Sequence, residues 1–260
     1  MNDLLNLAWK DILTFLLVFT RIGIIFALVP FFSGEIVPRK VTAIIAFFLA
    51  LVLLPIVPNP GIDMNNLNVL TLIVLLVHDL LIGLCIGLSV SLIFSGVQIG
   101  GELIGFQMGF SMVNVVDPMT GVDAPITSNL LYIAAFLLFL CLGGHHMLIK
   151  ALVDSFSVIP IKAELPQQAF LSAIITYAAE IFVIGIKVAA PVIGVLILIN
   201  VAFAITARAV PQMNVFLMAF PLTISVGLLF LIIVMKFMPG FISSAMNGCT
   251  AFIKATLPLY

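Results

Sequence analysis

The sequence predicts an all-α membrane protein of about six apolar helical segments, with kinks at prolines inside them. Three observations carry that expectation. Of the 260 residues, 63% are hydrophobic and 8% charged, against about 45–50% apolar and about 25% charged in soluble domains. The mean hydropathy is +1.36. Six apolar stretches approach the ~20 residues that a helix needs to cross a bilayer, and prolines or polar turns separate them. Ten basic and eleven acidic residues give a formal net charge of -1, so no basic surface is offered to nucleic acid. Cys85, Cys141 and Cys249 are widely spaced in apolar settings, which fits free core thiols rather than a disulfide framework. The opening MNDLLNLAWKD carries acids beside Lys10 and no small-residue cleavage site follows, so no cleaved signal peptide is expected.

The first stretch runs from about Ile12 to Phe32 and contains Arg21. The second, about Val41 to Val57, closes on Pro55, Pro58 and Pro60, whose rings clash with the preceding turn and supply no donor. The third reads from Leu67 to about Met112 without a proline, so one long or bent helix is expected. Its glycines at 83, 87, 96, 100, 101, 105 and 109 mark points of bending or close packing. The fourth begins near Ile126, passes Gly143-Gly144-His145-His146 and reaches Pro160. A surface turn follows over residues 162–168, with Pro166 suited to a helix start. The fifth, about Phe170 to Ala207, contains Pro191, where a kink is expected. The sixth, about Val215 to Phe237, contains Pro221 and is expected to end at Pro239-Gly240. A short amphipathic piece from Phe241 to Lys254 would then lie on the membrane surface or on a partner. With six spans, Lys10, Lys150, Lys162, Lys236 and Lys254 face Arg39, Lys40 and Arg208 across the bilayer, a weak orientation signal.

An ionisable side chain at a helix centre in lipid costs about 2.5–3.5 kcal/mol on insertion scales, so Arg21, Asp79, Glu180 and Lys187 each need a partner or water. Glu180 and Lys187 share a helix face but lie two turns apart, beyond direct bonding reach. Two roles stay open for these groups: an ion or proton path, or pairing between helices or subunits that fixes assembly. Their scatter favours pairing, since proton paths cluster acids or histidines. His145 and His146 are adjacent and diverge by about 100° on a helix, which leaves them without the spacing of a shared metal site. Hydrogen bonding at a kink after Gly143-Gly144 is the better expectation. No nucleotide-binding loop and no nucleophile elbow is present, so neither enzyme activity, a metal nor a cofactor is expected.

Residues 96–125 carry the densest pattern. Gly101-x-x-x-Gly105-x-x-x-Gly109 sets small residues on one helix face, open to close approach by another backbone, and Gly96 and Gly100 repeat the spacing upstream. Phe106, Met108, Phe110 and Met112 alternate with small or polar residues, Val113 follows, and Asp117-Pro118 stops any helix. Such a segment could line or block a passage, its thioether chains reshaping around different partners. Spacing alone favours a packed helix end followed by a connecting loop.

At Arg208 and the run Pro211-Gln212-Met213-Asn214-Val215-Phe216 the chain resembles the FliR family of flagellar export-gate membrane proteins, whose injectisome relatives serve type III secretion. The resemblance covers nearly the whole chain. It includes Arg21 with Pro30-Phe31-Phe32, Val37-Pro38-Arg39, Gly105-Phe106-Gln107-Met108-Gly109 with Asp117-Pro118, and Gly144-His145-His146. Ser155-Phe156 with Pro160, Ala190-Pro191, Asn200 and Pro221 complete it. Thr42 stands where the family pattern leads one to expect a basic residue.

The resemblance implies a FliP-like helical part, 1–165, followed by a FliQ-like hairpin and C-terminal tail, 166–260, as one integrated unit. It implies assembly with FliP and FliQ into the channel entry, FlhB wrapped on the cytoplasmic side, FlhA nearby, unfolded flagellar proteins as substrates, and membrane lipid around the complex. The implied location is the bacterial inner membrane at the flagellar basal body. The segment Gly105 to Gly121 corresponds to the family's channel plug, with Gly105, Phe106, Met108, Gly109, Phe110, Met112, Val113, Asp117 and Pro118 as its residues. Arg208, Pro211, Gln212, Met213 and Asn214 correspond either to a subunit contact or to a hairpin turn. An injectisome gate subunit is the near alternative, and a stand-alone six-helix transporter using Asp79, Glu180 and Lys187 is the distant one.

Overall fold

A computed structural model describes residues 2–30, 32, 37–57, 68–110, 126–159, 168–209 and 215–259. Among them are eight α-helices: α1 (Asn2–Leu28), α2 (Arg39–Leu53), α3 (Val69–Met108), α4 (Ile126–Cys141), α5 (Gly144–Val158), α6 (Gln168–Ala178), α7 (Glu180–Ala209) and α8 (Val215–Thr256), with a terminal 3-10 turn at Leu257–Leu259. The protein is an all-α membrane protein. Among the described residues four segments are long and apolar enough to cross a membrane, Lys10–Leu28, Val69–Met108, Gln168–Ala209 and Met218–Thr256, and the bent pair α4 and α5 makes a fifth if it acts as one span. Of the six expected stretches, the second is the one without a helix of that length among the described residues. The second apolar stretch forms a helix of 15 residues, roughly 22 Å at 1.5 Å per residue, short of the ~30 Å hydrocarbon core.

Some of the expected breaks are present and one is not. The third stretch is one unbroken helix of 40 residues, as its lack of proline predicts. The fourth divides at Gly143, whose φ of 77° lies in the left-handed region that glycine adopts without penalty, and the two halves bend by 66°. The fifth has an additional break at Ala179, and Pro191 lies inside α7. Pro239 does not end the sixth: α8 continues through both Pro221 and Pro239 to Thr256, so the separate amphipathic piece from Phe241 to Lys254 does not exist. The reason is packing. Thr223, Gly227, Leu231, Val234, Met238, Ile242, Met246, Cys249 and Ile253 are all buried, a stripe at three- and four-residue steps that holds one face inward on both sides of the proline. Pro239 itself is exposed.

The chain forms two compact units, each discontinuous in sequence. The first comprises Met1–Leu92, Gly143–Ala178 and Met246–Tyr260. Its core sets Leu17, Ile22 and Ile25 of α1 with Leu75, Ile82 and Ile86 of α3, Leu152 of α5 and Phe170 of α6, all fully buried. α1 and α3 approach closely because Gly87 has no side chain: a Cβ there would lie 2.9 Å from Leu28 Cδ1 and 3.3 Å from Ile25 Cα. Phe15 meets Phe47 of α2 edge-on at 5.2 Å, and Tyr177 stacks on Phe252 at 3.9 Å. Thr42 is buried, and its hydroxyl donates to Phe32 O at 3.1 Å, which gives a small polar residue there a local purpose.

The second unit comprises Ile93–Leu142 and Ala179–Ala245. Here the C-terminal half of α3 is the centre. Phe94 packs edge-on against Tyr132 at 6.1 Å and Phe139 at 5.2 Å. Added Cβ atoms show the glycine faces: Gly100 opposes Gly185 O (2.9 Å) and Val188 Cβ (3.0 Å) of α7, while Gly101 opposes Ser128 Cα (2.5 Å) and N (3.0 Å) of α4. One glycine ladder therefore serves two neighbouring helices.

Candidate functional site

The end of α3 is built from residues that sequence spacing marks out. Gly105 and Met108 are buried, Gly109 and Phe110 are half-buried, and Phe106 is 70% exposed. The helix stops by hydrogen bonding as well as by sequence. Gly109 N–H donates to Phe106 O and Phe110 N–H to Gly105 O, both at 3.1 Å, the paired bonds of a Schellman motif. That motif needs a left-handed residue, and Gly109 has φ 91°. On the far side of the connecting segment, Thr127 Oγ1 donates to Gly101 O at 2.9 Å and Ser128 Oγ to Gln98 O at 3.1 Å. Hence α4 starts pinned to the helix that precedes the segment. Met112, Val113, Asp117 and Pro118 lie outside the described residues.

Met108 takes a position that an alternating Phe and Met pattern does not suggest. It is fully buried, seated on Gly227 of α8, where an added Cβ would come within 2.6 Å of its Cγ and 2.9 Å of its Sδ. Thr223 Oγ1 donates to Met108 O at 3.4 Å and to Phe220 O at 3.1 Å. A Cβ on Gly109 would lie 2.6 Å from Phe220 Cε1. Thr127, Ser128, Thr223 and Gly227 are the contacts that sequence reasoning misses. A lone glycine inside a helical pattern is the one available signal, since it usually has a packing reason.

The four charges singled out within apolar runs separate into two kinds. Arg21 and Asp79 are both fully buried in the first unit, where Arg21 Nε donates to Asp79 Oδ1 at 2.8 Å and Nη2 bonds the same oxygen. Arg21 Nη1 donates to Ser155 Oγ at 3.2 Å, and the guanidinium lies 4.0 Å from the centroid of the Phe156 ring. Neutralised charge, donors in use and an aromatic face together offset the desolvation of a buried arginine. Asp79 Oδ2 has no hydrogen-bond partner among the described residues, and His78 Nδ1 lies 3.7 Å from Oδ1. Glu180 and Lys187, by contrast, are exposed along α7.

Arg208 is exposed in the last turn of α7, where a cation is favoured by the helix dipole. Pro211, Gln212, Met213 and Asn214 lie outside the described residues. His145 and His146 are exposed, with ring centroids 4.1 Å apart, just after the Gly143 break. Cys85 and Cys249 are buried free thiols, but Cys141 is exposed, contrary to the expectation of three core thiols. Leu140 and Leu142 on either side of it are exposed as well. Among the described residues no group of three or more His, Cys, Asp or Glu could hold a metal.

The sequence model of the bacterial export proteins, family 1, matches residues 12–249. This chain belongs to that family. Relatives agree along most of their length. The flagellar biosynthetic protein FliR of Bacillus subtilis (strain 168) is 35% identical over 226 residues, 85% of this chain and 86% of that protein. FliR of Escherichia coli (strain K12) is 32% identical over 243 residues, 92% of each, and FliR of Aquifex aeolicus (strain VF5) is 30% identical over 227 residues, 85% of each. The export-family match takes in both glycine faces of α3, the Arg21–Asp79 pair, and Thr223 and Gly227 of α8.

Proposed function

We propose that this export-family chain is a subunit of the bacterial flagellar type III protein-export gate in the inner membrane at the flagellar basal body. It assembles with FliP and FliQ as the channel entry for unfolded flagellar proteins, with FlhB on the cytoplasmic side and FlhA nearby. It is not an enzyme; other components supply the energy. The observation that carries this reading is the family match over residues 12–249, together with relatives named for flagellar biosynthesis over more than four-fifths of their length. The division into a FliP-like part, 1–165, and a FliQ-like hairpin, 166–260, belongs to the same proposal.

In this reading Gly105 to Gly121 is the plug. A closed export pore has to stop ions and water yet admit chains of almost any sequence, so it cannot rely on specific hydrogen bonds, and apolar constrictions close by dewetting. Phe106, Met108, Phe110, Met112 and Val113 supply the apolar surface. The exposure of Phe106, 70% at the end of a packed helix, supports this role by leaving apolar surface beside the segment. A stand-alone transporter would keep its coupling charges inside, whereas Glu180 and Lys187 face outward.

Copurification of a tagged chain, with and without FliP and FliQ, followed by mass determination of the intact particle, tests the proposal. A large hetero-oligomer containing this chain is expected. A stable, ion-conducting particle of this chain alone would replace the gate with a transporter.

A further inference from the structure

We propose that Phe220, Thr223 and Gly227 of α8 form a socket that positions the plug, so that the resting state of the gate is set by how α8 holds the end of α3. The inference rests on the plug reading above and adds the residues that control it. Three independent contacts converge within the second unit. Met108 is fully buried on Gly227, the only residue type whose lack of a side chain leaves room for its Cγ, Sδ and Cε, which an added Cβ would meet at 2.6, 2.9 and 2.8 Å. Thr223 Oγ1 shares its one proton between Phe220 O at 3.1 Å and Met108 O at 3.4 Å, the latter among the carbonyls that a helix end leaves without internal partners. The Phe220 ring occupies the side on which Gly109 lacks a Cβ, 2.6 Å from where that atom would stand.

These contacts fix direction as well as position. Gly109 is the left-handed residue of the Schellman motif, and its φ of 91° sets the line on which the chain leaves α3 at Phe110. The other end of the segment is held by Thr127 and Ser128 on α3 itself. Among the described contacts of α3's last turn, those to α8 are the ones that can change without α3 and α4 separating. Phe220 and Thr223 flank Pro221, which supplies no N–H to the helix ladder, so this part of α8 is held less tightly by its own backbone. A shift of α8 therefore carries Met108 and Gly109 with it, and with them the line on which the chain leaves α3.

The test is the resting monovalent-ion current of the full assembled complex, measured beside its yield and thermal stability. Gly227→Ala places a methyl against Met108. The expected outcome is a complex of normal composition, with at most a small drop in melting temperature, whose resting leak rises on the order of tenfold, the population shift that a small overpacking strain carries. Phe110→Ala serves as the control for the plug itself. If Phe110→Ala leaks and Gly227→Ala is as tight as the parent, the socket is overturned while the plug stands. If both are tight, the plug reading falls and the socket with it. Should Gly227→Ala not assemble, Thr223→Val keeps the shape and removes only the hydroxyl: a raised leak that Thr223→Ser reverses supports the socket, and an unchanged leak overturns it.

Discussion

Arg21 shows what a single buried charge requires. Its guanidinium is satisfied by one carboxylate oxygen, one serine hydroxyl and one aromatic face, drawn from helices that are far apart in sequence. Removing one partner of such a pair leaves an uncompensated buried charge and costs about 3–5 kcal/mol, whereas replacing both by apolar groups is often neutral. Asp79→Ala is therefore expected to lower the unfolding midpoint of the detergent-solubilised protein sharply, while Arg21→Met with Asp79→Leu recovers most of the loss. Equal losses in the single and double variants would show that the pair adds nothing beyond its volume. Sequence exposes the need for a partner here, because an arginine in an apolar run cannot stand alone. It does not reveal that Asp79 rather than Glu180 answers it, since helical spacing says nothing about which helices become neighbours.

At the level of elements, α3 is organised by glycines that are not equivalent. A Cβ on Gly101 would meet backbone atoms of Ser128, which cannot rotate away, and overpacking of this kind costs about 1–3 kcal/mol. Gly248 in α8 has nothing within 4 Å of the same position, and removing the backbone freedom of a helical glycine there gains roughly 0.5–1 kcal/mol. Gly101→Ala should thus lower and Gly248→Ala raise the denaturation midpoint of the isolated chain; equal effects would remove the close α3–α4 approach from the account. The repeated four-residue glycine spacing makes a close approach legible in the sequence. Which helix approaches is not legible, because α4 and α7 meet the ladder on adjacent faces. Proline misleads in the other direction: a local rule ends α8 at Pro239, yet the buried stripe from Thr223 to Ile253 carries the helix through.

For the whole molecule, the outward positions of Glu180 and Lys187 matter most. They lie in the segment Gln168–Ala209, long and apolar enough to cross a membrane, yet face away from the chain's own core, a costly arrangement in lipid. Partner subunits carrying complementary charge would resolve it, and truncating one member of such a pair costs about 2 kcal/mol or more of assembly free energy. Glu180→Gln and Lys187→Met are expected to leave expression of the chain intact and to reduce recovery of the complete complex. Normal recovery of the complex from both variants would rule out an interfacial role. By itself the sequence determined the membrane class, the long third helix, the glycine-mediated approach and the family, because composition, periodicity and ordered motifs are properties of the chain read locally. The tertiary structure alone decided that Arg21 pairs with Asp79, that α8 passes through two prolines, and that Met108 packs on Gly227 while Phe106 points outward. Those outcomes depend on which distant surfaces compete for the same space, and burial of a continuous apolar stripe can outweigh a local propensity that sequence reads correctly.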